Sequence, residues 1–168
     1  MIGDRPDLLA RVAAAEPDAA LRRQAIHLIG ATGDGAALET LYGQLKDADD
    51  KAAALKALGI AGDDARLARI ARSERDPGLL RAALEGLGIS GGKDATAAIV
   101  EIYRATADAG VKRGAINGLI IADDGAAILA LYRGESDRDL KRELMQALSI
   151  ADSDQALELI DRQLSGEQ

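Results

Sequence analysis

Residues 51–63 read KAAALKALGIAGD, and the same phrase returns along the chain: RRQAIHLIGATGD at 22–34, LRAALEGLGISGG at 80–92, KRGAINGLIIADD at 112–124 and KRELMQALSIADS at 141–153. One residue marks the register of each copy, Ile26, Leu55, Leu84, Ile116 and Met145, at spacings of 29, 29, 32 and 29 residues. A period of this length marks a repeat architecture, in which each unit buries its apolar face only by stacking on its neighbours.

Within a copy the apolar residues fall at i, i+4, i+5 and i+8, as Leu21, Ala25, Ile26 and Ile29. That is one face of a helix and is incompatible with strand alternation. A second stripe follows at fixed distance, Leu38, Leu67, Ile99, Ile128 and Leu157, joined three residues later by Leu41, Ile70, Ile102, Leu131 and Ile160. The spacing therefore predicts a helix A and a helix B in every unit. Between them stand Gly33-Asp34, Gly62-Asp63, Gly91-Gly92, Asp123-Asp124 and Asp152-Ser153. Glycine ends a helix in the left-handed conformation, and Asp or Ser caps the free N–H groups of the next. The longer step places three extra residues between Leu84 and Ile99, where SGGKDATAA is expected to lengthen the turn. Pro17 and Pro77 stand just ahead of a helix A, where a missing N–H is harmless.

One period earlier, Leu9 and Val12 carry the helix B pattern behind Gly3-Asp4, so the chain opens in mid-repeat. The expectation is eleven helices: a half repeat at 1–16, then repeats at 17–47, 48–76, 77–108, 109–137 and 138–168. Neither end shows a polar capping repeat of the kind solenoids need for solubility, so the chain is expected to be a piece of a longer protein.

Composition narrows the possibilities further. The 168 residues are 48% hydrophobic and 29% charged, with net charge -7, no Cys, no Trp and no Phe. Only 2% are aromatic, so a core must be built from Ala, Leu, Ile and Val, which suits closely packed helices. The absence of cysteine removes disulfides, zinc knuckles and thiol nucleophiles. No apolar run approaches the roughly 20 residues that span a bilayer, and Asp4 and Asp7 stand where a signal peptide would be basic. Membrane insertion is not expected, and the compartment is not specified.

Units of this length, reading basic, basic, x, Ala, hydrophobic, x, x, Leu, Gly, x, x, Gly, Asp and then a second helix, resemble the short bacterial HEAT-like repeats grouped with the phycobilin lyase subunits. The resemblance covers nearly the whole chain. It implies an all-α, right-handed α-solenoid of stacked antiparallel helix pairs, about five repeats plus an N-terminal half repeat, acting as a protein-binding scaffold. Departures are Leu80, where other units carry Arg22, Lys51, Lys112 or Lys141; Asp50, where others begin helix A with Leu or Val; and the Asp-Asp turn of the fourth unit.

On a helical wheel, residues 23, 27 and 31 point away from the apolar face of helix A. Stacking turns each position into a row: Arg23, Ala52, Arg81, Arg113 and Arg142; then His27, Lys56, Glu85, Asn117 and Gln146; then Ala31, Ile60, Ile89, Ile121 and Ile150. In the families the chain resembles, this face lines the concave surface and varies with the partner. One reading is a groove with an arginine edge and an isoleucine edge, suited to an acidic peptide or helix with apolar residues. In the other, the isoleucines pack beneath helix B and the arginines pair with acidic turns.

Arg22, Lys51, Lys112 and Lys141 border the apolar stripe and are expected to brace neighbouring repeats through turn carboxylates. Small residues at Ala25, Ala54, Ala83 and Ala115, and at Ala57, Gly86, Gly118 and Ala147, should let helices approach closely. If buried, Gly86→Leu should cost about 1 to 3 kcal/mol by overpacking. Tyr42, Tyr103 and Tyr132 share one register on helix B and read either as a stacking strip or, the commoner case, as core margin with the hydroxyl reaching solvent.

Enzymatic readings find little support. The di-iron hydroxylase type of helical repeat needs several His-Glu pairs, and His27 is the lone histidine. The DNA glycosylase type needs a basic cleft and aromatic side chains, which the charge and composition oppose, as they oppose nucleic acid generally. A bilin lyase-like accessory role would call for an aromatic-lined pocket. Asp63-Asp64, Asp123-Asp124 and Asp47, Asp49 and Asp50 lack the spacing of a calcium loop, and helix capping accounts for them. No catalytic residue, metal or cofactor is expected. The expected function is a non-enzymatic scaffold or adaptor that binds a protein or peptide, an acidic one suiting the arginine row, with a structural spacer or end-to-end self-association module as the alternative.

Overall fold

The computed structural model of the chain describes residues 5–151, and its regular elements are all α-helices. In order they are α1 (Arg5–Ala15), α2 (Ala19–Thr32), α3 (Gly35–Gln44), α4 (Ala48–Ile60), α5 (Asp64–Ser73), α6 (Pro77–Ser90), α7 (Lys93–Ala105), α8 (Ala109–Ile121), α9 (Gly125–Gly134) and α10 (Arg138–Ile150). The even-numbered helices coincide with the expected helices A and the odd-numbered ones with helices B. The eleventh expected helix, with Asp152-Ser153, Leu157 and Ile160, lies outside the described residues.

The turns between A and B follow from local chemistry. Gly33, Gly62 and Gly91 adopt φ of 81°, 70° and 67°, and Asp123 takes the same left-handed region at 54°. The residue after each starts the next helix: Asp34, Asp63 and Asp124 accept the N–H of Ala37, Arg66 and Ala127, while Gly92 caps without a side chain. A second set of caps lies between B and A. Asp18, Asp47, Asp76, Asp108 and Asp137 each accept backbone N–H groups at the start of the following even helix. Pro77 is the first residue of α6, and Pro17 precedes the cap Asp18.

The three extra residues of the third unit behave differently from expectation. The turn keeps its two glycines, and α7 has 13 residues where α3, α5 and α9 have 10. Three residues are nearly one helical turn, so the insertion extends α7 at its N-terminus with little rotation of its apolar face.

Even helices contact one another in succession, α2 with α4, α4 with α6, α6 with α8 and α8 with α10. On the odd side α1 meets α3, α5 meets α7 and α7 meets α9. Between the two rows lies one continuous core, with Ile26, Ile29, Leu38, Leu55, Leu67, Leu84, Ile99, Leu119 and Ile128 fully buried. Along the even row, backbones nearly touch. A Cβ at Gly59 would lie 2.0 Å from the Gly86 carbonyl oxygen, one at Gly86 2.6 Å from that of Leu55, and one at Gly88 2.3 Å from that of Gly118. Gly86 and Gly118 of the expected small-residue rows serve close approach, while Gly59 and Gly88 stand in a row the sequence reading did not name.

Candidate functional site

The three rows lie on the even helices, and the structure separates their fates. The isoleucine row is exposed: Ile60, Ile89, Ile121 and Ile150 show 39%, 40%, 47% and 64% of their surface, and Ala31 is exposed too. The packed alternative thus fails. Ile60, Ile121 and Ile150 are the last residues of their helices, and Ile89 is the last but one of α6, so the helix ends before its next turn covers them.

Most of the arginine row is engaged. Arg113 binds Glu143 of α10 at 2.8 Å, Arg142 reaches Asp139 at 3.4 Å on its own helix, and Arg23 lies 3.7 Å from Asp49 and 4.0 Å from Asp50. Arg81 alone in the row has neither hydrogen bond nor ion pair among the described residues. An unbroken cationic edge is therefore corrected to one free guanidinium among neutralised ones. In the middle row Lys56 binds Glu85 at 2.8 Å, while His27, Asn117 and Gln146 are exposed. Ala52 is half-buried.

Arg81 lies in a groove of about 550 Å³ between α6 and α8, walled by Glu85, Arg113, Asn117 and Ile121. The groove exists because α8 carries Gly110 and Gly114 along its floor. A Cβ at Gly114 would come within 2.8 Å of the Arg81 Cγ, so the arginine stem lies across the glycine. A more open groove of about 660 Å³ lies between α7 and α9 and shares none of these rows. Among the described residues no group of three or more His, Cys, Asp or Glu is placed to hold a metal ion. No helix among them is long and apolar enough to cross a membrane.

Of the residues expected to brace the repeats through turn carboxylates, Arg22 and Lys112 meet a carboxylate, while Lys51 and Lys141 meet tyrosine rings. Arg22 binds Asp50 at 2.5 Å and the Glu16 carbonyl at 2.6 Å. Asp50 is 1% exposed, so the departure noted at the start of helix A is a buried ion pair between units. Lys112 binds Glu135 at 2.9 Å and also sits 4.8 Å from the Tyr103 ring centroid. Lys51 and Lys141 lie over Tyr42 and Tyr132 at 5.4 and 5.0 Å.

The tyrosines lie at the core and its margin, but the hydroxyls of Tyr42 and Tyr103 point to carboxylates where the sequence reading expected them to reach solvent. Tyr103 donates to Glu135 at 2.6 Å and Tyr42 to Glu74. Each acceptor stands 32 residues beyond its tyrosine, at the end of the next odd helix. Each also accepts two backbone N–H groups, from Ser136 and Asp137 or from Arg75 and Asp76. Burial works against ionisation of Glu135, but the bonds from Tyr103, the backbone and Lys112 outweigh it and hold its carboxyl down to about 2. Burial and the facing carboxylate push the Tyr103 hydroxyl well above its ordinary range. The signal was present as a tyrosine-to-glutamate interval one period plus a turn long, which a search for single-unit motifs passes over.

Neither the protein-family models nor the curated proteins include a match to this chain.

Proposed function

We propose that this chain is a right-handed α-solenoid of the HEAT-like kind, its repeats bounded as the sequence period sets them. It acts as a non-enzymatic scaffold whose even-helix face holds a protein partner. The observation that carries the reading is the exposed isoleucine row beside the Arg81 groove. Aligned apolar side chains left in water mark an interface, and a guanidinium without a partner offers a bidentate fork to a carboxylate. The partner is an acidic segment with apolar residues, laid across α6 and α8 so that its carboxylate meets Arg81 and its apolar side chains meet Ile89 and Ile121.

Fluorescence anisotropy with a labelled peptide of glutamate and leucine residues tests this. Saturable binding is expected, weakened about tenfold by Arg81→Glu and lost when Ile89→Asp and Ile121→Asp are added, with the circular dichroism unchanged. Arg142→Glu, whose guanidinium already lies beside Asp139, should change little. Equal binding by all variants would overturn the proposal. A spacer or self-association role draws on a separate observation, the exposure of Leu8, Val12, Leu21 and Leu28 on the first two helices.

A further inference from the structure

The arginine row itself shows what its guanidinium groups take. Arg23 and Arg113 stand three residues before the register residues of their units, and each meets a carboxylate on the next even helix. Arg23 faces Asp49 of α4 at 3.7 Å, six residues before Leu55, and Arg113 binds Glu143 of α10 at 2.8 Å, two residues before Met145. Arg81 holds the same place on α6, but the residues six and two before Ile116 on α8 are Gly110 and Gly114. Both positions that supply carboxylates elsewhere in the row are glycine here.

Close helix packing does not call for these two glycines. A Cβ at Gly86, Gly88 or Gly118 would strike a backbone carbonyl oxygen of the neighbouring helix, whereas one at Gly110 would meet the Asp108 carboxylate at 3.0 Å and the Arg81 Nη1 at 3.9 Å. At Gly114 the three nearest atoms all belong to side chains, two of Arg81 and one of Leu84. Their effect is to leave the space beside the guanidinium open, within the groove between α6 and α8. Two carboxylates stand close by, and both are engaged: Glu85 is held by Lys56 of α4 at 2.8 Å, and Asp108 accepts the N–H of Val111 as the cap of α8.

We infer that Gly110 and Gly114 are the specificity-determining residues of this groove, keeping Arg81 open for one carboxylate side chain of the docked partner. That carboxylate takes the place that Asp49 and Glu143 hold for Arg23 and Arg113. The inference rests on the proposed even-helix face as the binding surface, and adds to it which group of the partner is read and what leaves room for it. An aspartate or glutamate is required at that one point of the partner, since a planar carboxylate matches the guanidinium fork. A carboxylate grafted onto α8 replaces it and shuts the groove.

The probe is the labelled peptide of glutamate and leucine residues, blocked at both ends so that its carboxylates all lie on side chains, with glutamine replacing glutamate in its uncharged twin. The wild type should bind the twin at least about tenfold more weakly. Gly110→Asp should weaken binding of the acidic peptide at least about tenfold, because the new carboxylate grows from a Cβ 3.9 Å from the Arg81 Nη1 and pairs with it. Gly110→Asn, of the same size without the charge, should stay within about threefold of wild type. In the free Gly110→Asp protein the Arg81 Nε–Hε NMR signal should move toward that of Arg113, whose Nε donates to Glu143. Equal affinity for the two peptides overturns the inference, and so does equal loss in Gly110→Asp and Gly110→Asn, since bulk would then close the groove. If binding survives Gly110→Asp but is abolished by Ile89→Asp with Ile121→Asp, the inference falls and the even-helix face stands. No binding of either peptide to the wild type removes both.

Discussion

Glu135 shows how one side chain can tie two repeats together. It gathers the Tyr103 hydroxyl, the Lys112 ammonium and two backbone N–H groups, and all four bonds favour its charged form. With a carboxyl at about 2 when folded and near 4.5 when unfolded, the native state binds fewer protons between these values. Its contribution is therefore complete above about pH 4.5 and is lost as the pH falls toward 2, on the order of 3 kcal/mol. Glu135→Gln should lower stability in urea by about 1 to 3 kcal/mol at pH 7 and flatten the acid limb of the stability curve. An unchanged acid limb would show that the charge is not what Tyr103 and Lys112 recognise. The Arg22–Asp50 pair makes a second prediction. Asp50→Leu alone strands the guanidinium and should cost about 2 to 3 kcal/mol, whereas Arg22→Leu with Asp50→Leu should come back close to wild type. The third and fourth units already carry the apolar version, Leu80 and Val111, at the matching positions. A double-mutant cycle in urea checks it.

At the scale of elements, the even helices depend on residues that lack side chains. Gly59→Ala gains helix propensity of about 1 kcal/mol, yet the new Cβ would meet the Gly86 carbonyl at 2.0 Å, so a net loss of about 1 to 3 kcal/mol is expected. Gly43→Ala on α3, where nothing lies within 4 Å, should be neutral or stabilise by up to about 1 kcal/mol. Thermal melts of the two side by side separate packing from propensity. These helices and their boundaries were readable in the chain because their causes are local: a glycine that can turn left-handed, an aspartate that caps, an apolar residue every third or fourth place. The insertion was misjudged because SGGKDATAA holds both a turn and a good first helical turn, and only tertiary fit decides where one becomes the other. The candidate face was legible in its membership and only partly in its state. Arg23, Arg113 and Arg142 could be placed in a row by counting, but the carboxylates that neutralise them occupy other rows, Asp49 and Glu143 on the next even helix and Asp139 on the same one. The exposure of Ile121 depends on α8 ending there, a boundary finer than periodicity resolves.

For the whole molecule, contacts run between helices one or two places apart in the chain, so folding free energy should vary along it instead of being shared evenly. Hydrogen exchange should be slowest in α4, α6 and α8, which meet through the glycine contacts, and faster in α1, whose apolar side chains Leu8 and Val12 are left open. Uniform protection would contradict this. The two rows of helices also differ in what holds their members at a distance. From α2 to α8 the even helices rest carbonyl against Cα, a contact without charge that salt does not weaken. Among the odd ones, Arg66 and Arg69 of α5 grip Glu39 of α3 at 2.7 and 2.6 Å, and Arg72 grips Glu101 of α7 at 2.7 Å, largely at the surface. A strip fixed in length along one margin and sprung along the other bends in a single plane, as a bimetal does. High salt, which weakens only the springs, should then alter the small-angle scattering of the molecule while its helicity stays constant.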